Sequence, residues 1–193
     1  MPVEEPVSTR ADWSGVLRPQ SGVTAPQLRL PAIAVPANDA LWWVGTHGGS
    51  GVTTLEHLVP GSVTAGRAWP APVSGIAHCV LVARTNLTGL RAAQTAMTQW
   101  AAGAAPDGVQ VHGLVVIADA PGRLPRPLRD FLAVLRGGVH QLWHLQWVEA
   151  WRTAPAASLP RAPRPVTATV ADLVDLKNSL ATAQGTTEER HHA

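Results

Sequence analysis

Residues 45–54 read Gly-Thr-His-Gly-Gly-Ser-Gly-Val-Thr-Thr, and no other stretch of the chain is so well suited to chemistry. Glycines let the backbone curl until successive N–H groups converge on an anion, and a helix opening behind them adds partial positive charge. In phosphate loops that hydrolyse nucleotides, a lysine reaches the β- and γ-phosphates and the next Ser or Thr hydroxyl holds magnesium. Here Val52 stands in the lysine position and Thr53 follows it. The candidate phosphate-binding residues are therefore Gly48, Gly49, Ser50, Gly51, Val52, Thr53 and Thr54. Thr53 is the magnesium candidate if a nucleotide binds. No cofactor is demanded; ATP or ADP with magnesium is what such a loop would accept. No catalytic residue is assigned. The single lysine of the chain is Lys177, far from the loop, against fourteen arginines. Arginine is a poor substitute in a tight loop, because its planar fork is not a point charge.

Other residue patterns suggest other chemistry and are weaker. Gly-Gly-Ser-Gly resembles part of a hydrolase elbow, and Asp119 followed by His140 or His144 supplies the required order; the Thr53-Thr54 continuation favours a phosphate loop instead. His140 and His144 fall in a segment read as a strand, where they lie about 13 Å apart, too far to share a zinc ion. Cys79 opens a strand and reads as buried and inert. Trp143, Trp147 and Trp151 recur every four residues, with Glu149 between the last two and Arg152 directly after them. Core packing accounts for them, although Trp and Arg also anchor interfaces. The basic, proline-rich stretch 121–129 is either a solvated loop or a docking surface.

The elements that must position the loop alternate between strand and helix. Leu41–Thr46 is a short apolar run suited to a buried strand. Val52–Leu58 begins a helix, Cys79–Arg84 is a second strand, and Thr88–Ala102 is a helix with Leu90, Ala93, Met97 and Trp100 on one side. Val109–Ala118 is a third strand ending at Asp119, Arg126–Arg136 a helix stopped by Gly137-Gly138, and Val139–Leu145 a fourth strand. Such alternation predicts an α/β domain over 40–152, with a mainly parallel twisted sheet of about 4–5 strands flanked by helices. Ligands of such sheets bind at the carboxyl ends of the strands. Around this domain, residues 1–38 carry prolines at 2, 6, 19, 26, 31 and 36 and read as a flexible or draped arm, with Leu30–Val35 as a short extended piece. Residues 153–166 form a Pro-rich linker. Thr169 to Asp172 resembles a capping box for a separate C-terminal helix over 167–184, with Val170, Leu173, Val174, Leu176 and Leu180 as its apolar stripe. Residues 185–193 read as a disordered tail.

The loop resembles the deviant phosphate loop of the ParA/MinD ATPases, Lys-Gly-Gly-x-Gly-Lys-Thr/Ser. His47-Gly48-Gly49-Ser50-Gly51-Val52-Thr53 matches the glycines and the threonine and lacks both lysines. The stretches CVLVARTNLTGLRAAQTAMTQW, GLVVIADAPGRLPRPLRDFL and GGVHQLWHLQWVEAWR resemble a trimmed C-terminal half of that family. They are similar also to uncharacterised actinobacterial proteins associated with mobile and conjugative elements. The resemblance covers about residues 41–152 and implies a reduced P-loop NTPase-like fold. It places His47 where the family's lysine reaches the partner subunit's nucleotide, and it places Asp119 near a base rather than a metal. It leaves the magnesium-organising Asp without a counterpart between Leu58 and Cys79. Arg84 and Arg123 are the remaining accessory candidates. The implied function is a pseudo-ATPase serving as scaffold or regulatory partner of a conjugation, secretion or partition ATPase, with a protein partner and room for a homodimer. The alternative is a nucleotide-binding switch with weak or slow turnover.

Composition narrows the setting. A formal charge of +2 with no dense basic stripe argues against nucleic acid as the main partner. One cysteine excludes an intrachain disulfide and fits a reducing cytoplasm. The start, Met-Pro-Val-Glu-Glu, has neither the basic nor the apolar region of a signal peptide. No apolar run approaches the roughly 20 residues needed to cross a bilayer.

Overall fold

Apolar runs bounded by glycine and proline become strands, and the amphipathic stretches between them become helices. The computed structural model describes residues 19–38, 40–153, 159 and 162–189. Along the chain lie β1 (Ala32–Val35), β2 (Leu41–Gly45), α1 (Val52–Leu58), β3 (Val63–Thr64), β4 (Trp69–Pro72), β5 (Ala77–Arg84) and α2 (Leu87–Ala101). They are followed by β6 (Val109–Ile117), α3 (Arg126–Gly137), β7 (Leu142–Leu145), a 3-10 turn (Glu149–Arg152) and α4 (Arg164–Glu189).

Five strands form one sheet in the order β3-β2-β5-β6-β7, every pair parallel. Numbered by appearance within the sheet, the order is 2-1-3-4-5. This is a doubly wound arrangement, and its order reverses between β2 and β5. Parallel strands covered on both faces need apolar side chains on both, and β5 is buried at seven of its eight positions.

Two apolar layers enclose the sheet. On one face Cys79, Leu81, Ala83, Leu114 and Val116 pack with Leu90, Ala93 and Trp100 of α2 and Leu135 of α3. On the other, Trp43, Val80, Val82 and Val115 pack with Leu55 of α1 and with Val166, Val170, Leu173 and Leu176 of α4.

The two ends of the domain differ from the sequence expectation. β1 falls within the Leu30–Val35 piece read as extended, but it is not a loose part of an arm: it pairs in parallel with β4, Ala32 opposite Trp69 and Val35 opposite Pro72. Gln99 of α2 clamps the same stretch, its Oε1 accepting from the Leu30 N–H at 2.8 Å and its Nε2 donating to the Leu30 carbonyl at 3.1 Å. Residues 1–18 lie outside the described residues. The C-terminal helix is not separate. It lays Val166, Val170, Leu173 and Leu176 into the second core, where a fully buried Leu or Val stabilises by about 1.5–3 kcal/mol. It also starts earlier, at Arg164, with Pro165 in its first turn, where the missing N–H has no intrahelical partner to lose. Thr169 is thus inside the helix rather than at a capping box, and its hydroxyl donates to the Pro165 carbonyl at 3.0 Å. At the far end of the contact, Lys177 Nζ donates to the Pro60 carbonyl at 2.9 Å. Half of the expected linker, residues 154–158, 160 and 161, falls outside the described residues, as does the end of the expected tail, 190–193, whereas 164–166 of the linker and 185–189 of the tail belong to α4. Among the described residues no helix is long and apolar enough to cross a membrane.

Candidate functional site at the carboxyl edge of the sheet

β2 delivers the glycine loop to the point where the strand order reverses. Its end is pinned on both sides: the Gly45 N–H donates to the Gly66 carbonyl at 2.7 Å, and the Thr46 N–H donates to the Val82 carbonyl at 3.0 Å. Gly49 and Gly51 take φ of 72° and 104°, a left-handed region that favours glycine. At Gly51 space forbids a side chain as well, since a Cβ would sit 2.5 Å from Ile117 Cδ1. Gly51 then caps α1, and the Leu55 N–H donates to the Gly51 carbonyl. The amides of Val52, Thr53 and Thr54 have no acceptor within the helix.

The last residue of β5 closes over this loop. Arg84 Nε donates to the Gly49 carbonyl at 3.2 Å, and Nη1 donates to the Ala118 carbonyl beyond β6 at 3.1 Å. Its backbone N–H donates to His47 Nε2 at 3.0 Å. Because Nε2 must accept there, the proton of the imidazole sits on Nδ1, which donates to the Gly48 carbonyl at 2.8 Å. His47 is therefore a neutral brace between two loops, with both ring nitrogens engaged. It is not a cation facing a phosphate.

Beyond Arg84, Asn86 caps α2, its Oδ1 accepting from the Gly89 N–H at 2.8 Å. The first turn of α2 carries no acidic residue. The 3-10 turn after β7 brings Arg152 to the same edge, its guanidinium 5.4 Å from the centre of the Trp147 ring. The Trp147 indole N–H is held in turn by Glu149 Oε2 at 2.7 Å.

These groups border two adjoining clefts. A polar one of about 410 Å³ is lined by His47, Gly48, Gly49, Arg84, Asn86, Thr88, Asp119, Trp147 and Arg152. A more apolar one of about 490 Å³ shares Asn86, Asp119 and Trp147 with it and extends along Pro121, Arg123, Leu124, Leu128 and His144. Burial lowers the pKa of Arg84; Asp119 opposes that shift and Arg152 adds to it. Guanidinium remains protonated at any physiological pH.

The structure thus brings together Gly48, Gly49, Arg84, Asp119 and His47 from the sequence candidates. Arg123 stands apart in the apolar cleft. Ser50 is buried under the loop, and Gly51, Val52, Thr53 and Thr54 line neither cleft. Thr53, the magnesium candidate, is exposed. Sequence reading missed Asn86, Thr88 and Arg152 as site residues. Asn86, three residues before Gly89 at the head of a helix, carried a capping signal; Arg152 stood out only as an interface anchor, because its place in the cleft depends on a turn after the last strand.

A second polar cluster lies at the opposite, amino edge. β6 carries one extra residue opposite the Cys79–Val80 step of β5, and that residue is His112. The bulge brings His112 Nε2 to 2.9 Å from His78 Nδ1, both side chains buried. Burial first, then His78 and His140, push the His112 pKa down to about 4. His144, expected on a strand with His140, is on β7, whereas His140 precedes it. Burial lowers the His144 pKa. Cys79 is fully buried, and burial raises its thiol pKa well above the ordinary value. Among the described residues no group of three or more His, Cys, Asp or Glu side chains is arranged to hold a metal ion.

Residues 39–170 match the model of a family of unknown function (DUF6668). That span runs from just before β2 into the first turns of α4, and so includes the glycine loop, both clefts and the histidine pair. No curated protein and no solved structure matches the chain.

Proposed function

We propose that this chain, which belongs to the DUF6668 family, acts as a pseudo-ATPase: a scaffold or regulatory partner built on a phosphate loop that no longer turns over nucleotide. The resemblance to ParA/MinD proteins suggests a conjugation, secretion or partition ATPase as the partner. One observation carries the reading. The cation nearest the glycine loop is Arg84, and two hydrogen bonds to main-chain carbonyls fix its guanidinium in place. Phosphoryl transfer needs positive charge aimed at the oxygens where charge develops, together with a magnesium ion held by protein oxygens. Val52 supplies no charge, Thr53 does not line the cleft, and Asp119 is the single carboxylate lining it. In this reading the protein's business lies with a partner protein rather than with turnover.

Phosphate release at millimolar Mg-ATP is the test. No release above buffer is expected. Turnover that falls when Gly51 is changed to Asp or Thr53 to Ala would sink the proposal.

The open polar cleft beside the loop favours a second reading, a nucleotide-binding switch. Calorimetric titration with Mg-ATP and Mg-ADP separates the two. Saturable heat that disappears in Gly51→Asp supports the switch, and no heat supports the scaffold.

A further inference from the structure

We infer that the carboxyl-edge cleft is a metal-free binding site for a small organic phosphate monoester, its phosphate gripped by Arg84 and Arg152 and its organic part lying along Trp147 into the apolar cleft. This goes beyond the scaffold reading and does not depend on it, since a protein can hold such an anion without hydrolysing anything.

Charge is the first argument. Two guanidiniums face the polar cleft against one carboxylate, Asp119. Among the described residues neither arginine forms an ion pair; the pair present is Arg126–Asp130, on the exposed face of α3. Arg84 is partly buried, and burial alone disfavours its charge. Asp119 and two main-chain carbonyls compensate that charge in part, with no carboxylate in direct contact among the described residues, so the cleft retains room for an anion.

Donor count is the second. A guanidinium has five N–H donors. Arg84 spends one at Nε and one at Nη1 on carbonyls, which leaves three without a protein acceptor among the described residues. Nη2, which has no protein acceptor among the described residues, lies about 4.0 Å from where a Cβ on Gly51 would be, so Gly51 sets no side chain against it. Arg152 is exposed and lies over the Trp147 ring, free to swing its fork onto an anion. Two forks from different elements suit the tetrahedral oxygens of a phosphate.

Asn86 and Thr88, at the N-terminus of the 15-residue α2, line the same wall; Asn86 Oδ1 takes the Gly89 N–H, and that turn contains no acidic side chain. A lone carboxylate facing two guanidiniums is a poor magnesium site, so the phosphate needs no metal. Asp119, at the junction of the clefts, is placed to accept a hydrogen bond from a hydroxyl or amino group on the organic part. Pro121, Leu124 and Leu128 give that part an apolar wall, the usual make-up of a small-molecule site.

The test is calorimetric titration of the full chain with inorganic phosphate and with phenyl phosphate, in EDTA and at constant ionic strength. Both are expected to saturate, phenyl phosphate more tightly. Arg152→Gln should weaken both by about tenfold or more, since hydrogen bonds to charged groups carry that much. It should leave the melting temperature of the ligand-free protein unchanged. Arg84→Lys, which keeps the charge and loses the fork, should weaken both probes as well. No saturable heat from either probe, a requirement for added magnesium, or Arg152→Gln binding as well as the parent would overturn the proposal. Equal affinity for the two probes would overturn the placement of the organic part. Nucleotide turnover seen alongside EDTA-insensitive binding would defeat the scaffold reading alone.

Discussion

The two edges of the central sheet treat ionisable groups in opposite ways. At the amino edge His78 and His112 are buried, and their imidazoles share a hydrogen bond. At the carboxyl edge Arg84 and Arg152 stand in an open cleft and keep their charges, with donors left over. Neighbouring strands supply both edges: β5 gives His78 at its start and Arg84 at its end. A histidine is therefore not a site by virtue of being a histidine. Packing makes the amino edge a structural joint, and a reversal of strand order opens clefts at the carboxyl edge, where sheets of this kind generally bind their ligands.

The sharpest way to break this contrast is to open the amino edge. Leu41 begins β2, is fully buried, and is the register partner of His78. Leu41→Ala should cost about 2–5 kcal/mol in denaturant unfolding. A cost below about 1 kcal/mol would mean that this edge is not close-packed.

Acid should act there next. The folded pKa of His112 lies near 4, below the ordinary value of 6.5, so the unfolded chain binds the proton more readily. The stability associated with the neutral form is complete above about pH 6.5 and is lost as pH falls from there towards 4, by about 3 kcal/mol in the limit. Denaturant titrations across that window should show the loss, and His112→Asn should flatten it. An unchanged slope in the variant would assign the acid sensitivity elsewhere.

The smallest effect distinguishes two glycines within the loop. Gly51→Ala meets Ile117 and a φ of 104°, and should cost about 1–3 kcal/mol. Gly48→Ala meets no heavy atom within 4 Å and should stay within about 0.5 kcal/mol. Equal costs would mean that the loop is not anchored where it touches β6.

Most of the main sheet was legible because its strands are apolar runs with clear punctuation. Leu41–Gly45, Val109–Ile117 and the helices at 52, 87 and 126 appear within a residue or two of where the pattern puts them. β4 was not legible. Its sequence, Trp-Pro-Ala-Pro, offers two prolines in four residues, and it is a strand because β1 is there to pair with it. The stripe on α4 was visible, but a stripe does not say which surface it covers. The glycine loop could be read as a loop, whereas its closure by Arg84 could not: hydrogen bonds linking residues 84, 49 and 118 are made by the register of three strands. The same holds for His78 and His112, which are 34 residues apart and meet through a bulge. Local pattern reveals elements; contacts between elements depend on a register that no local pattern contains.

The clasp between Lys177 and the Pro60 carbonyl has a practical consequence. Lys177 is the sole lysine, so an amine-reactive dye has one side chain in the protein to attack. With α4 seated, that amine is engaged and acylation is slowed; with α4 lifted, it is released and reacts at the rate of a free lysine. Once labelling of the N-terminal amine is resolved separately by peptide mapping, Lys177 is a single-lysine reporter for the undocking of the chain's own last helix.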